Sequence, residues 1–220
     1  MIKESKYFIS KFDESDADTA GRFIRLLEEE YDKIHGCFGF EPKDTKYKFC
    51  LCANAEDYIK ETGKKEEEYQ PWMVGNSNFA EKKICVISPS AGNDEEYLEK
   101  VAVHELVHMI FDEQTGITEN EAWIAEGIAI FYAGQTEAEY ISRENFPKIS
   151  EISGICENGD TPNNFIDNGG YDYAGIYVGH YIKTYGSDAF IKAYKNEILP
   201  EVYSGFEKEA IEEYLKNDKH

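Results

Sequence analysis

The apolar and polar residues of this 220-residue chain follow two different periods, and their order predicts the elements of the fold. Three short stretches are rich in β-branched, aromatic and cysteine residues, which is typical of β-strands. These predicted strands cover residues 7–12, 47–52 and 83–88, the last of which ends at Pro89. Residues 71–78, between the second and third strands, are rich in turn-forming residues and predict an irregular segment.

Apolar residues recur every three or four positions in most of the remaining chain, which predicts α-helices. The first helix opens at Ser15 and Asp16 and closes at His35 and Gly36, where a histidine cap favours the helix dipole. Further helices are predicted to start at Asn93 and Thr118, where Glu96 and Glu121 complete capping boxes, and the first of them stops near residue 114. The remaining predicted helices cover residues 55–61, 171–185, 187–199 and 201–215, and residues 146–155 hold one short element.

The predicted helix over residues 93–114 carries the sequence H-E-x-x-H at His104, Glu105 and His108. Residues four apart on a helix lie one above the other, so His104 and His108 can direct two imidazoles at one Zn²⁺ ion. Glu105 projects about 100° around the helix axis from His104, which places it beside the metal. This is the position of a base that takes a proton from water.

The next predicted helix supplies a third candidate ligand, Glu126, in the sequence W-I-A-E-G-I-A that begins at Trp123. Thr115 and Gly116 stop one helix, and Thr118 starts the next, so a helix–turn–helix can present Glu126 to the same metal. Two histidines and one glutamate, with a fourth position for water, are typical of a catalytic zinc site. The sequence therefore predicts one Zn²⁺ per chain.

The H-E-x-x-H motif followed by W-x-x-E-G-x-A resembles the gluzincin metallopeptidases, and most closely their small members with peptidase MA-like domains. The resemblance runs from the strand before the first motif to the helix after residue 170. It implies a single domain with an α+β, zincin-like fold. In that fold a small N-terminal sheet lobe with the active-site helix, about residues 1–116, precedes a helical C-terminal lobe over residues 117–220.

The resemblance also implies a substrate-binding edge strand and an oxyanion donor. Residues 84–87 take the edge position, where a peptide would add a strand to the sheet; the alternative is an ordinary interior strand. Tyr171 is the first candidate for the phenol that donates to the oxyanion, and Tyr173 is a register alternative. Matching the larger aminopeptidases at Gly175 instead puts Asp172 where their tyrosine lies, so plain core packing stays open for either tyrosine.

Two further side chains are candidates for a supporting role. A zinc-ligating histidine usually donates its other N–H to a carboxylate or carbonyl, and Asp112 follows His108 by one helical turn. The alternative for Asp112 is a surface position. His180 lies on the same predicted helix as Tyr171 and Tyr173, and it either reaches the site or packs within the helices.

The charge of the chain excludes some classes of partner. It carries 23 basic and 44 acidic residues, a net charge of −21, which disfavours both nucleic acid and anionic membrane surfaces. No apolar run is long enough to span a bilayer, and no signal peptide is visible at the start. We therefore expect a cytoplasmic protein; the sequence gives no indication of oligomeric state.

The cysteines agree with a reducing compartment, since there are five of them without a disulfide-like spacing. Cys50 and Cys52 lie on one face of a predicted strand. We expect both to be buried small hydrophobic residues, with metal binding as the alternative.

Taken together, the motifs predict a zinc-dependent peptidase whose substrate is a peptide or protein. An endopeptidase is preferred, because the G-x-M-E-N type motif with which the resembled aminopeptidases hold a free amine is absent. One alternative is a zinc-retaining, non-catalytic peptide-binding or regulatory protein on the same fold, although a structural zinc site needs no base such as Glu105. A zinc-free scaffold is a third possibility.

Overall fold

The computed structural model describes residues 1–156, 160–196 and 202–217. The chain divides into two compact units, Met1–Gln114 and Thr115–His220. The first combines a sheet with helices, and the second is mainly helical. The predicted α+β class is therefore confirmed, while the zincin-like arrangement and the lobe boundaries stay predictions.

A five-stranded mixed sheet forms the centre of the first unit. Its strands are β1 (Ile2–Glu4), β2 (Phe8–Lys11), β3 (Tyr47–Cys52), β4 (Gly75–Asn78) and β5 (Lys83–Ile87), in the order β1-β2-β3-β5-β4. The three strands predicted from the sequence, β2, β3 and β5, are parallel neighbours. The strands β1 and β4 pair antiparallel with them at the two edges and were not predicted.

The strand β5 is an interior strand, so the edge role predicted for residues 84–87 is wrong. On one side Cys85 is the register partner of Cys50 in β3, and on the other Ile84 is the partner of Ser77 in β4. The prediction failed because part of the segment 71–78, interpreted as turns, forms a strand. The open edge on this side of the sheet is β4.

Helices pack on both faces of the sheet because neighbouring strand residues point to opposite faces. The helix α1 (Ala17–Phe38) covers one face, where the rings of Phe23 and Phe49 stack at 6.2 Å. The helix α2 (Ala55–Thr62) covers the other, where the thiol of Cys50 lies 3.6 Å from the Glu61 carboxylate. Cys50 and Cys52 are buried, which agrees with their predicted role as small core residues, and Cys85 is buried beside them.

The end of α1 differs from the prediction, which closed the helix at His35 and Gly36. The helix continues to Phe38 and ends at Gly39, whose φ of 63° is in the left-handed region. The buried ring of His35 lies inside the last turns, with Nδ1 2.8 Å from the carbonyl oxygen of Tyr31. The buried ring of Phe38 packs edge-on against Phe111 at 5.0 Å, and this burial extends the helix beyond the predicted stop.

The third helix, α3 (Glu95–Thr115), carries the H-E-x-x-H motif. Its N-cap is Asp94, whose carboxylate accepts the N–H of Tyr97 at 2.8 Å, so the predicted cap at Asn93 is one residue early. Near the other end, the buried carboxylate of Glu113 accepts the hydroxyl of Tyr47 at 2.7 Å and pairs with Lys82. A buried charge is costly unless it is paired, so this cluster anchors the motif helix to the start of β3.

Six helices lie in the described part of the second unit. They are α4 (Ala122–Ala133), α5 (Ile149–Ile152), α6 (Asn163–Asp167), α7 (Gly170–Tyr185), α8 (Ser187–Tyr194) and α9 (Phe206–Asn217). The short strands β6 (Asn120–Glu121) and β7 (Ile155–Cys156) pair antiparallel. The predicted helices over residues 187–199 and 201–215 correspond to α8 and α9, and residues 197–201 of that prediction lie outside the described residues.

The helix α4 begins at Ala122, so the capping box predicted at Thr118 and Glu121 is wrong. Glu121 belongs to β6, and its side chain accepts the N–H of Gly154 at 3.0 Å. The predicted capping box would have placed Asn120 and Glu121 in the first helical turn, but both residues pair with β7 instead. The strand pairing therefore delays the start of α4 by about one turn.

The helices α4 and α7 approach each other closely at Gly127, the residue after Glu126. A Cβ atom on Gly127 would lie 2.6 Å from Cγ2 of Val178 and 2.7 Å from the carbonyl oxygen of Ala174. Only glycine fits at this separation without a shift of one helix. The contact fixes the helix that presents Glu126.

Over the described residues, no helix combines the length and the apolar character needed to cross a membrane.

Candidate metal centre

The first part of the candidate site is formed by one stretch of α3. Leu106 and Val107 are fully buried, whereas His104, Glu105 and His108 are half-buried. The helical spacing of four residues brings the two imidazoles together, with their Nε2 atoms 3.0 Å apart. The predicted geometry of this histidine pair is therefore present.

The second part of the candidate site is Glu126 on α4, which is 8% exposed. His104, His108 and Glu126 each offer one ligand atom, and these atoms lie within 4.8 Å of one another. The three predicted ligands therefore form a cluster that could hold a metal ion. Among the described residues, no other group of three or more His, Cys, Asp or Glu side chains does so.

The donor set of this cluster fits Zn²⁺. Zinc binds imidazole nitrogen at about 2.0–2.1 Å and carboxylate oxygen at about 2.0–2.2 Å, so tetrahedral ligands lie about 3.3 Å apart. The 3.0 Å separation of the Nε2 atoms of His104 and His108 is close to that value. Nitrogen and carboxylate donors without a thiolate are also the set used by catalytic zinc sites that keep a position for water.

Glu105 is not a member of the cluster. Its side chain lies against the backbone of Gly75 in β4. The sequence did not predict this contact. Tyr58, which hydrogen-bonds to Gly75, was also missed. A glycine in a turn-rich segment and a tyrosine on a short amphipathic helix gave no signal of proximity to Glu105.

Tyr171 and Tyr173 both lie in the first turn of α7, which starts at Gly170, one residue before the predicted start. Tyr171 is 39% exposed, and its hydroxyl lies 2.9 Å from Oγ1 of Thr161. Tyr173 is 6% exposed, and its hydroxyl accepts the N–H of Ser142 at 3.1 Å. An oxyanion-donor role for either tyrosine stays a prediction.

Asp112 was predicted either to accept a hydrogen bond from His108 or to lie at the surface, and it is half-buried on α3. Its Oδ1 atom is buried without a hydrogen-bond partner among the described residues. Burial, followed by the nearby charge of Glu113, raises the pKa of the Asp112 carboxyl above its usual value. The prediction of a surface position is wrong for this oxygen, and the hydrogen bond with His108 stays a prediction.

His180 is engaged within the second unit. Its Nδ1 atom lies 2.8 Å from the Glu213 carboxylate on α9, and its Nε2 atom lies 3.0 Å from the hydroxyl of Tyr203. Both ring nitrogens therefore have partners on the C-terminal side of the chain. These contacts favour the prediction that His180 packs within the helices.

Comparisons with known proteins add no relative: no protein-family model matches the chain, and no curated protein matches it. The resemblance to gluzincins thus depends on the two motifs and on the residues that they bring together.

Proposed function

We propose that this protein is a zinc-dependent peptidase that hydrolyses internal peptide bonds. The observation that carries the proposal is the cluster of His104, His108 and Glu126, whose ligand atoms lie within 4.8 Å of one another. Glu105 adds support because a metal site with a purely structural role needs no base beside it.

The residues of the chain have distinct roles in the proposed reaction. His104, His108 and Glu126 hold the metal, which when bound supplies a Lewis acid that lowers the pKa of water and polarises a carbonyl. Glu105 accepts the proton of the attacking water and delivers it to the leaving amine. Tyr171, or Tyr173 in the alternative alignment, donates its phenol to the developing oxyanion, a contact of the kind worth about 3–4 kcal/mol.

The open strand β4 supports a peptide as substrate. The carbonyl of Val74 accepts the N–H of Ile87 at 2.9 Å, and antiparallel pairs alternate between bonded and non-bonded positions. The N–H and C=O of Ser77 therefore point away from β5 and can pair with an extended chain. This moves the substrate-binding role expected of residues 84–87 to β4.

The experiment is a cleavage assay on a peptide mixture, combined with zinc analysis of the same protein samples. Wild type is expected to bind zinc and to cleave peptides internally. Glu105→Gln keeps the size of the side chain but cannot accept a proton, so it should retain zinc while hydrolysis falls by about 10²–10⁴-fold. His108→Ala should lose both zinc and activity.

Two results would contradict the proposal. A zinc-loaded wild type that cleaves nothing would indicate the non-catalytic peptide-binding alternative, and a protein without zinc would indicate a scaffold. Cleavage confined to chain ends would overturn the endopeptidase assignment alone.

A further inference from the structure

We infer that Tyr58 and Gly75 are positioning residues for Glu105: they hold the backbone of β4 against the carboxylate that acts as the base. The consequence for catalysis rests on the proposed peptidase function. The geometry itself concerns only residues of the first unit.

Position 75 requires glycine because there is no room for a Cβ atom. Its φ is not in the left-handed region, so its backbone could accommodate any residue. A Cβ atom at this position, however, would lie 2.3 Å from Cγ1 of Val101, 2.9 Å from Oε1 of Glu105 and 3.3 Å from Cγ of Glu105. The main chain of β4 thus forms a wall in direct contact with the Glu105 side chain.

Tyr58 fixes the position of that wall. Its side chain is fully buried on α2, and its hydroxyl donates to the carbonyl oxygen of Gly75 at 2.6 Å. This carbonyl points away from β5, so it accepts no hydrogen bond within the sheet. It accepts the hydrogen bond of Tyr58 instead. Burial, followed by the nearby charge of Glu105, raises the pKa of Tyr58, which keeps the hydroxyl protonated as a donor.

These contacts restrict where the Glu105 carboxylate can move. Val101 lies one turn earlier on α3, and Gly75 lies opposite, so the side chain is confined between its own helix and β4. A general base must stay within about 2.6–3.2 Å of the proton that it accepts, and a displacement of about 1 Å can cost on the order of 10²-fold in rate. The hydrogen bond from Tyr58 to Gly75 therefore controls the position from which the Glu105 carboxylate accepts a proton.

A pair of variants separates positioning of Glu105 from simple packing. Gly75→Ala should lower both kcat, by on the order of 10²-fold, and the melting temperature, with little change in KM. In Gly75→Ala/Val101→Ala the 2.3 Å clash is removed, but the 2.9 Å contact with Glu105 remains. Its melting temperature should return to that of Val101→Ala alone, while kcat stays low. Recovery of kcat in the double variant would overturn the inference.

The positioning role of the Tyr58 hydroxyl is tested by Tyr58→Phe, and Tyr31→Phe is the matched control. The Tyr31 hydroxyl is also buried in this unit but makes no hydrogen bond to β4. Tyr58→Phe should lower kcat about tenfold at unchanged zinc content, and Tyr31→Phe should leave kcat unchanged. Equal kcat values for the two variants would contradict the role of Tyr58.

Crystal structures of the variants provide a readout that is independent of turnover. The Glu105 carboxylate should be displaced from its wild-type position in Gly75→Ala/Val101→Ala, and an undisplaced carboxylate would overturn the inference. If wild type cleaves no peptide, the proposed function fails, and the crystallographic comparison still decides whether Gly75 positions Glu105.

Discussion

The hydroxyl oxygen of Tyr173 accepts the backbone N–H of Ser142 at 3.1 Å, which joins the first turn of α7 to the segment between α4 and α5. This contact gives the buried phenol a structural function, whereas the Tyr171 phenol lies on a more exposed side chain. Tyr171→Phe should therefore lower kcat by about 10²–10³-fold with little change in KM, because the lost contact exists only in the transition state. Steady-state kinetics on one cleaved peptide measures this effect.

Tyr173→Phe is the control for the tyrosine experiment. It should alter thermal stability and leave kcat unchanged. The opposite pattern would transfer the oxyanion role to Tyr173, and two variants with wild-type kcat would remove both tyrosines from the reaction.

The metal cluster predicts one zinc per chain. Elemental analysis should show its loss in His104→Ala, His108→Ala and Glu126→Ala. His180→Gln should keep full zinc, because both ring nitrogens of His180 are engaged by Glu213 and Tyr203. Zinc affinity should also fall as the pH drops below about 6, since only neutral imidazole binds the metal. Full zinc in the His108→Ala protein would refute the ligand assignment.

The close approach of α4 and α7 predicts a large effect of one methyl group. Gly127→Ala places a Cβ atom 2.6 Å from Val178 and should lower the free energy of unfolding by about 1–3 kcal/mol, the usual cost of overpacking. Gly36→Ala in α1 is the matched control, since its Cβ atom would meet nothing within 4 Å. That change should raise stability by about 0.4–1 kcal/mol. Chemical denaturation compares the two, and equal effects would contradict the close packing.

The Asp112 carboxyl, one of whose oxygens is buried, predicts a dependence of stability on pH. Burial raises its folded-state pKa above the value in the unfolded chain, so the folded state binds the proton more tightly. This contribution to stability is present below the unfolded pKa and is lost as the pH rises through the folded pKa. Asp112→Asn, which has no charge to bury, should therefore be more stable than wild type at pH 7.

The advantage of Asp112→Asn should shrink as the pH falls toward the ordinary pKa of an aspartate. Denaturation at several pH values measures it, and an advantage that grows toward low pH would refute the assignment. A zinc affinity lowered by Asp112→Asn would instead support the predicted hydrogen bond with His108.

The sequence predicts elements well where one residue pattern decides the structure. The bounds of β3 match the prediction because residues 47–52 have strong strand preferences and polar neighbours. The strand β4 was missed because Gly75, Asn76, Ser77 and Asn78 have low intrinsic strand preferences and are held by pairing with β5. The wrong edge assignment for residues 84–87 follows directly from that omission.

The candidate site likewise combines residues that the sequence predicts with residues that only the fold reveals. His104, Glu105 and His108 are predictable because helical spacing alone brings them together, and Glu126 follows from a second motif. Tyr58 and Gly75 lie 47 and 30 residues from Glu105 along the chain, and only the folded sheet shows their contact. The start of α4 was also misplaced, because the pairing of Glu121 in β6 depends on residues more than 30 positions away.

The composition of β4 has a consequence for how the protein behaves at high concentration. An exposed sheet edge with apolar side chains is a template for aggregation. The sequence Gly-Asn-Ser-Asn in β4 offers main-chain hydrogen bonds without any apolar side chain that a second copy could cover. With a net charge of −21 on each chain, copies also repel one another. Both features therefore disfavour edge-to-edge self-association through β4.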